Sequence, residues 1–129
     1  MGNLDEFMQE QYLPFYKRVV EAFELKHPTL WATLRSFIAG RKNHYGMRLT
    51  ENGATVGEYT MYLDGISLVK AESGDLKAEV HTPFGVLRPY VILEKSTLEQ
   101  MVQDEEGFVN NLFATKMKYV PEFTLKFLK

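Results

Sequence analysis

The fold is decided by the stretch from Tyr90 to Lys118, which reads YVILEKSTLEQMVQDEEGFVNNLFATKMK. Its opening run, Tyr90–Leu93, is apolar and rich in the β-branched and aromatic residues that suit a strand. Ser96 followed by Glu99 has the pattern of a capping box, so a helix is predicted to begin there. Apolar residues at helical spacing then give a first short helix, over residues 97–104, one apolar face.

The second half of this stretch predicts another short helix and a further strand. We expect Gly107 to end the first helix, because glycine is a poor helix former. Apolar spacing resumes in a second helix over residues 108–113, and Lys116–Tyr119 then alternates in the way that is typical of a strand. Two helices inserted between strands, each with one apolar face, are expected to lie on the sheet that those strands form.

The first forty residues show a helical period. Pro14 predicts a kink or a restart in the first helix, because proline cannot donate the hydrogen bond to the residue four positions earlier. His27 and Pro28 end this helix and start a second one, for which Gly40 is the expected C-terminal cap, followed by the basic pair Arg41 and Lys42. The apolar stripe of the first helix consists of Leu4, Phe7, Met8, Phe15, Tyr16, Val19, Val20 and Phe23.

From residue 44 the apolar period changes to two, which predicts strands. The predicted strands cover residues 44–49, 58–63, 66–71 and 76–80. Asn52-Gly53 and Asp64-Gly65 are pairs that favour tight hairpin turns. The last segment, residues 121–129, fits either a strand or a short helix.

These elements predict an α+β fold in a single domain over residues 1–129. A helical N-terminal part, residues 1–40, precedes a sheet with inserted helices over residues 44–129. We expect about five antiparallel strands with short helices packed on one face. A chain of 129 residues is long enough to bury about two-thirds of its unfolded surface.

Composition narrows the classes of function. The net charge of −2 and the pI near 5.9 argue against a general nucleic-acid binder, which normally has a basic face. The N-terminus has no basic region followed by an apolar run, so no signal peptide is expected. No apolar run approaches the roughly 20 residues of a membrane span. The lack of cysteine fits a reducing compartment, and we expect a cytoplasmic protein.

The sequence shows no catalytic or metal-binding constellation, so we expect no enzyme activity, no cofactor and no metal. Its three histidines are far apart, and none has a partner at metal-ligand spacing. The acidic run at 104–106 is read as a favourable helix start. An alternative is an enzyme with a cone-shaped pocket that uses Tyr62, His81 or Glu94 as acid or base.

Large apolar side chains exceed what one sheet face and two short helices need. They include many phenylalanines and methionines, and methionine adapts its shape to irregular spaces. One interpretation is a filled core. The other is that helices 97–104 and 108–113 stand off the sheet and leave a cavity for an apolar ligand.

The order of elements from Gly57 to Leu128 resembles the sterol carrier protein type 2 family. The resemblance rests on Tyr90–Leu93, Ser96–Met101, Gly107, Asn110 with Phe113, and Lys116–Lys118. The chain departs from the family pattern at Thr115, where the family commonly has glycine. It departs again at Tyr119–Glu122, which replaces the usual turn.

The resemblance implies a carrier that binds a fatty acyl, sterol-like or other lipid ligand in a tunnel between sheet and helices, without a catalytic centre. The residues it implies as pocket lining are Tyr59, Met61, Leu98, Met101, Phe108, Phe113, Met117, Phe123 and Phe127. The alternative hypothesis is an interaction domain with a filled core. It would bind a partner or a second copy of itself through Phe15, Tyr16, Val19, Val20 and Phe23 of the N-terminal stripe.

Overall fold

The computed structural model describes residues 3–38, 43–65, 67–82 and 84–128. The helices are α1 (Asn3–Phe7), α2 (Leu13–Lys26), α3 (Pro28–Ile38), α4 (Lys95–Gln103), α5 (Glu105–Asn110) and α6 (Leu112–Tyr119). The strands are β1 (His44–Glu51), β2 (Ala54–Asp64), β3 (Ser67–Ser73), β4 (Val80–Thr82), β5 (Gly85–Leu87), β6 (Pro89–Glu94) and β7 (Thr124–Phe127). A π-helical segment, Met8–Tyr12, joins α1 to α2, and a 3-10 turn, Val120–Glu122, joins α6 to β7. The predicted α+β fold is confirmed.

The main sheet has five strands in the order β3-β2-β1-β6-β7. The pairs β1–β2, β2–β3 and β6–β7 are antiparallel, as predicted. The central pair β1–β6 is parallel, with Met47 opposite Val91. The chain leaves β3 at one edge of the sheet and crosses to the far side of β1 before β6 begins. The sheet is therefore mostly, and not entirely, antiparallel.

One face of the sheet is apolar and carries the helices. Its buried or partly buried residues are Tyr45, Met47, Leu49, Tyr59, Met61, Ala71, Val91 and Leu93. The opposite face carries ion pairs between strands, such as Arg48 with Glu58 at 2.8 Å. A segment after β3 crosses this second face, where the backbone amide of Lys77 donates a hydrogen bond to the Thr60 hydroxyl at 2.9 Å. Since α2 and α4–α6 all lie over the apolar face, the candidate site lies there too.

The interruption predicted at Pro14 takes the form of a π-helical segment immediately before α2. Pro14 lacks the amide that an α-helix needs at this point, and widening the preceding turn accommodates that loss. Met8 and Tyr12 of the π segment are buried. The chain thus continues in helical form without a stop and turns two large side chains toward the core. The predicted break at His27 is confirmed, since α2 ends at Lys26 and α3 begins at Pro28.

The start of α4 differs from the prediction. The helix begins at Lys95 with Glu94 as its N-cap, and no side chain caps it, so the capping box of Ser96 is not formed. Glu94 instead accepts hydrogen bonds from the Thr50 hydroxyl and from the backbone amides of Asn52 and Gly53. These bonds hold the β1–β2 turn against the start of the helix.

Two predictions within residues 104–119 are wrong. The first helix, α4, ends at Gln103 with Asp104 as its C-cap, and Gly107 lies inside α5. Its role is close packing, because a Cβ there would come within 3.0 Å of the Thr115 hydroxyl. Residues 116–119, predicted as a strand, belong to α6. Their alternation is also compatible with a helix, and the packing of α6 on α5 decides the outcome.

The remaining strand predictions are partly confirmed. The turn at Asn52–Gly53 has positive φ at both residues, as a two-residue hairpin of this type requires. The predicted strand over residues 76–80 is wrong: only Glu79 makes a bridge, to His44, and β4 begins at Val80 and pairs with β5 in a separate hairpin. The C-terminal segment is a strand, β7. Gly40, Arg41 and Lys42 lie outside the described residues.

Candidate ligand-binding site

A cavity of about 460 Å³ lies between the helices and the sheet. It is bounded by α2 and α3 on one side, by α4–α6 on the other, and by β1 at its inner end. Its lining is Tyr12, Phe15, Tyr16, Val19, Val20, Phe23, Leu34, Tyr45, Met101, Phe108, Leu112, Phe113, Lys116, Tyr119 and Phe123. The volume and the apolar wall are those of sites that bind small molecules.

The α2 wall of the cavity follows from residue spacing along one helix. Phe15, Val19 and Phe23 stand four residues apart, so their side chains lie above one another on one face. Phe15 packs edge-on against Phe108 of α5, with the ring centroids 5.4 Å apart. Phe23 meets Phe113 of α6 in the same way at 6.3 Å. Aromatic contacts therefore join α2 to α5 at Phe15 and α2 to α6 at Phe23.

Polar contacts outside the apolar wall join α2 to α5. Arg18 forms a two-pronged ion pair with Glu105, in which Nε and Nη2 each donate to a carboxylate oxygen at 2.7 Å. The Lys26 ammonium donates to the Asn110 side-chain oxygen at 3.3 Å. The guanidinium holds the pKa of Glu105 below its usual range. These contacts fix the separation of the two helices alongside the cavity.

Three tyrosines belong to the cavity lining on the π-helical segment, α2 and β1. Burial raises the pKa of Tyr12, Tyr16 and Tyr45 well above the ordinary value of 10. Tyr12 and Tyr45 share a hydrogen bond between their side chains, which ties the end of the π-helical segment to β1. All three groups are therefore neutral near pH 7 and add no charge to the lining.

Asp104 anchors α6 beside the cavity. Its carboxylate accepts hydrogen bonds from the Lys118 ammonium at 2.7 Å and from the Tyr119 hydroxyl at 2.9 Å. The nearby Lys118 lowers the pKa of Asp104. Tyr119 also stacks on Phe108, with the ring centroids 5.7 Å apart. The acidic run lies at the start of α5, as predicted. Two of its carboxylates also bond to other helices: Asp104 to α6, and Glu105 to α2.

Lys116 is the one charged side chain in the lining of the cavity. It lies on α6 and is exposed. It makes no ion pair or side-chain hydrogen bond within the described part of the chain. The lining contains no aspartate or glutamate. A ligand with a negative or strongly polar group at one end therefore meets a compatible charge at this point.

The predicted pocket residues fall into three groups. Met101, Phe108, Phe113 and Phe123 line the cavity. Tyr59, Met61 and Leu98 are buried in the core of the sheet and α4 and do not line it. Met117 and Phe127 are exposed and do not line it either.

Most of the cavity-lining residues that were not predicted to line the pocket lie on α2 or on the helical segments next to it. The N-terminal stripe, predicted as an interface for a partner, lines the cavity instead: Phe15, Tyr16, Val19, Val20 and Phe23 are all in its wall. The apolar spacing of this stripe was evident in the sequence. What the spacing did not reveal was that α5 and α6 lie opposite it.

The three residues proposed as acid or base in the alternative enzyme hypothesis all contact other side chains or backbone groups, and none lines the cavity. The Tyr62 hydroxyl donates to Glu72 at 3.0 Å. His81 lies 3.0 Å from a carboxylate oxygen of Glu79. Glu94 holds the β1–β2 turn.

No group of three or more histidine, aspartate or glutamate side chains among the described residues is arranged to hold a metal ion. No helix within the described ranges has the length and apolar character needed to cross a membrane.

Comparison of the sequence with models of protein families finds no match, and comparison with curated proteins finds none either. The resemblance to sterol carrier proteins therefore rests on the residues quoted above.

Proposed function

We propose that this chain binds a lipid or another apolar small molecule in the cavity between the helices and the sheet, and acts as a carrier. The observation that supports the proposal is the cavity itself, about 460 Å³ with a wall of aromatic and aliphatic side chains. Burial of ligand surface there would supply about 25 cal/mol per Å² of apolar area, less the cost of ordering the ligand.

The polar groups of the lining favour an amphipathic ligand. Lys116 would face a carboxylate or another polar head, and the aromatic and aliphatic side chains of the wall would contact the apolar part of the ligand. A fatty acyl or sterol-like compound, as the family resemblance implies, has this character.

We infer a binding role and not a catalytic one. The titratable groups of the lining are four tyrosines and one lysine. Burial raises the pKa of Tyr12, Tyr16, Tyr45 and Tyr119 further from neutrality, which does not suit a general acid or base. The cytoplasm remains the expected compartment for such a carrier, since the sequence contains no cysteine.

Self-association through the N-terminal stripe stays the alternative. It is less favoured because Phe15 and Phe23 are already buried within the chain. Light scattering of the purified protein tests this alternative. A dimer that becomes a monomer when Val19 is replaced by Glu would support self-association.

The test of the proposal uses two leucines on α3. Leu34 lines the cavity and is 36% exposed, whereas Leu30 is 41% exposed and does not line it. Leu34→Glu sets a charge in the apolar wall at little cost to folding. We expect it to weaken the binding of a dansyl-labelled fatty acid at least about tenfold, the equivalent of about 1.4 kcal/mol. Leu30→Glu is the matched control and should bind as the unaltered protein does.

Native mass spectrometry of the freshly purified protein, followed by organic extraction, would identify a retained ligand. An unaltered protein that carries no ligand and takes up no labelled fatty acid would overturn the proposal. If both variants bind the labelled fatty acid as tightly as the unaltered protein does, the cavity is not the binding site.

A further inference from the structure

Strand β7 forms one edge of the main sheet, and all four of its residues are exposed. Leu125 is opposite Val91, which packs against the core, so Leu125 and Phe127 lie on the face of the sheet that carries the helices. Leu125 is nevertheless 58% exposed and Phe127 55%. The helices therefore leave these two apolar side chains uncovered at the edge of the sheet.

The backbone groups that point outward from this edge are those of Leu125 and Phe127. Opposite residues of an antiparallel pair alternate between hydrogen-bonded and non-hydrogen-bonded pairs. The Leu128 amide donates to the Arg88 carbonyl at 2.7 Å, so in the same register Lys126, two residues earlier, is also hydrogen-bonded to β6. The N–H and C=O groups of Leu125 and Phe127 therefore point away from β6. Since β7 is last in the strand order, no strand of the described ranges pairs with them.

The opposite edge of the sheet, β3, is less suited to pairing with another strand. Its pairing with β2 contains a register shift, and Lys70 and Glu72 form an ion pair at 3.1 Å along it. Charged side chains and irregular pairing are features by which natural proteins protect the edges of sheets. β7 has one charged residue, Lys126, whose side chain points to the face opposite Leu125. β7 is therefore the less protected of the two edges.

We propose that β7 pairs with β7 of a second copy of the chain, antiparallel, about a two-fold axis at Leu125. The N–H of Leu125 in each copy would donate to the Leu125 carbonyl of the other, and the sheet would run continuously through both copies. When a strand is added to the edge of a sheet, backbone hydrogen bonds supply the affinity. The inference does not rest on ligand binding, because neither Leu125 nor Phe127 lines the cavity.

The edge of β7 is complementary to itself in this arrangement. Phe123 is extended, and its amide already donates to the Val120 carbonyl at 3.0 Å, but its carbonyl points outward by the same alternation. The Phe127 amide of one copy would therefore meet the Phe123 carbonyl of the other. Because a two-fold axis repeats every contact, this hydrogen bond would form twice.

The side chains of β7 also suit a second copy as the occupant. On the helix face, Leu125 of each copy would contact its counterpart, and Phe127 would pack beside Phe123 of the other copy, so that exposed apolar area is buried. On the opposite face, Lys126 would lie across from Thr124 of the second copy, so the two lysines do not face each other directly. Because a pair of such short strands buries a small area, we expect a weak dimer that forms as the protein concentration rises.

The test is the oligomeric state of the full chain, measured by sedimentation over a wide range of protein concentration. Leu125→Glu and Leu125→Lys each place two like charges directly opposite one another, which destabilises a strand pair. We expect each variant to dimerise at least about tenfold more weakly than the unaltered protein, the equivalent of about 1.4 kcal/mol. An equimolar mixture of the two variants should recover the dimer, because opposite charges then face each other. Val69→Glu is the matched control, since Val69 is 61% exposed on β3, at the other edge of the sheet.

A dimer that is weakened in each Leu125 variant, recovered in their mixture and kept in Val69→Glu would support the proposal. It is overturned if the unaltered protein stays monomeric at the highest concentration reached, or if Leu125→Glu dimerises as the unaltered protein does. A mixture that remains monomeric would mean that Leu125 does not face its counterpart, and would also overturn it. A dimer that Val19→Glu dissociates and Leu125→Glu does not would belong to the N-terminal stripe instead. Binding of the labelled fatty acid by the Leu125→Glu variant reports on the cavity separately.

Discussion

Arg18 and Glu105 face each other across the gap between α2 and α5 and share two hydrogen bonds of 2.7 Å. The bond pattern is two-pronged, which is the strongest arrangement for an arginine and a carboxylate. Both side chains are partly exposed, so water and salt weaken the pair. The pair therefore contributes more to the geometry of the cavity wall than to the stability of the fold.

Replacing Glu105 by Gln is expected to lower the free energy of unfolding by no more than about 1 kcal/mol, since exposed ion pairs contribute little. Because Arg18 lowers the pKa of Glu105, the contribution is present at neutral pH and is lost as the pH falls through that lowered pKa. Urea unfolding at pH 7 measures the difference. Glu106→Gln, at the exposed neighbouring residue, is the control. A loss well above 1 kcal/mol would contradict this assessment.

A second prediction concerns Glu72 and the stability of the fold at acidic pH. Lys70, Tyr62 and Lys77 lower the pKa of this carboxyl from 4.5 to about 2. A lowered pKa stabilises the fold above the unfolded-state value, and the stabilisation is lost as the pH falls from about 4.5 to about 2. The Glu72→Gln variant should therefore lose less stability than the unaltered protein over that interval.

The measurement is urea unfolding at several pH values between 7 and the acid limit of the fold. Glu51→Gln, at an exposed residue of β1, serves as the control and should leave the slope unchanged. Identical pH dependence in the Glu72→Gln variant and the unaltered protein would contradict the prediction. It would show that Lys70, Tyr62 and Lys77 do not lower the pKa of Glu72 in solution.

Gly107 gives a third prediction. Alanine is favoured over glycine inside a helix by about 1 kcal/mol. The added methyl group would, however, lie 2.7 Å from an Asp104 oxygen and 3.0 Å from the Thr115 hydroxyl. Overpacking costs about 1–3 kcal/mol. We expect Gly107→Ala to be destabilising by about 1 kcal/mol overall, as measured by urea unfolding.

A double variant tests the cause of that loss. Thr115→Ala removes both Thr115 atoms that the new methyl group would meet, so Gly107→Ala combined with Thr115→Ala should lose less than the sum of the single variants. Strict additivity would mean that α5 and α6 do not meet at this pair.

The sequence predicts correctly those features that depend on residues adjacent in the chain. Asn52-Gly53 and Asp64-Gly65 gave the two hairpins of the meander, and Pro14 gave the irregularity before α2. The capping-box pattern predicts Ser96 as the N-cap of α4, but the N-cap is Glu94. Its side chain is engaged by the turn after β1, a partner more than forty residues away in sequence that no local pattern reveals.

The cavity was harder to predict for a related reason. Spacing shows that Phe15, Val19 and Phe23 share a face, but not what lies opposite that face. The stripe on α2 is equally compatible with an interface for a partner, the alternative hypothesis above. Met61 and Leu98, which the family resemblance implies as pocket lining, are buried in the core. The strand predicted over residues 116–119 is wrong because a four-residue alternation fits a strand and a helix alike, and these residues belong to α6.

The parallel pairing of β1 with β6 affects the order in which the chain can fold during synthesis. The hairpins from residue 44 to residue 73 can form as soon as they leave the ribosome, because each strand pairs with its neighbour in sequence. The other edge of β1 has to wait until residues 89–94 are made, more than forty positions after Gly46. Until then that edge is unpaired and exposed to other nascent chains. The centre of the sheet is therefore completed, and the helices that follow β6 can pack on it, only after β6 has been synthesised.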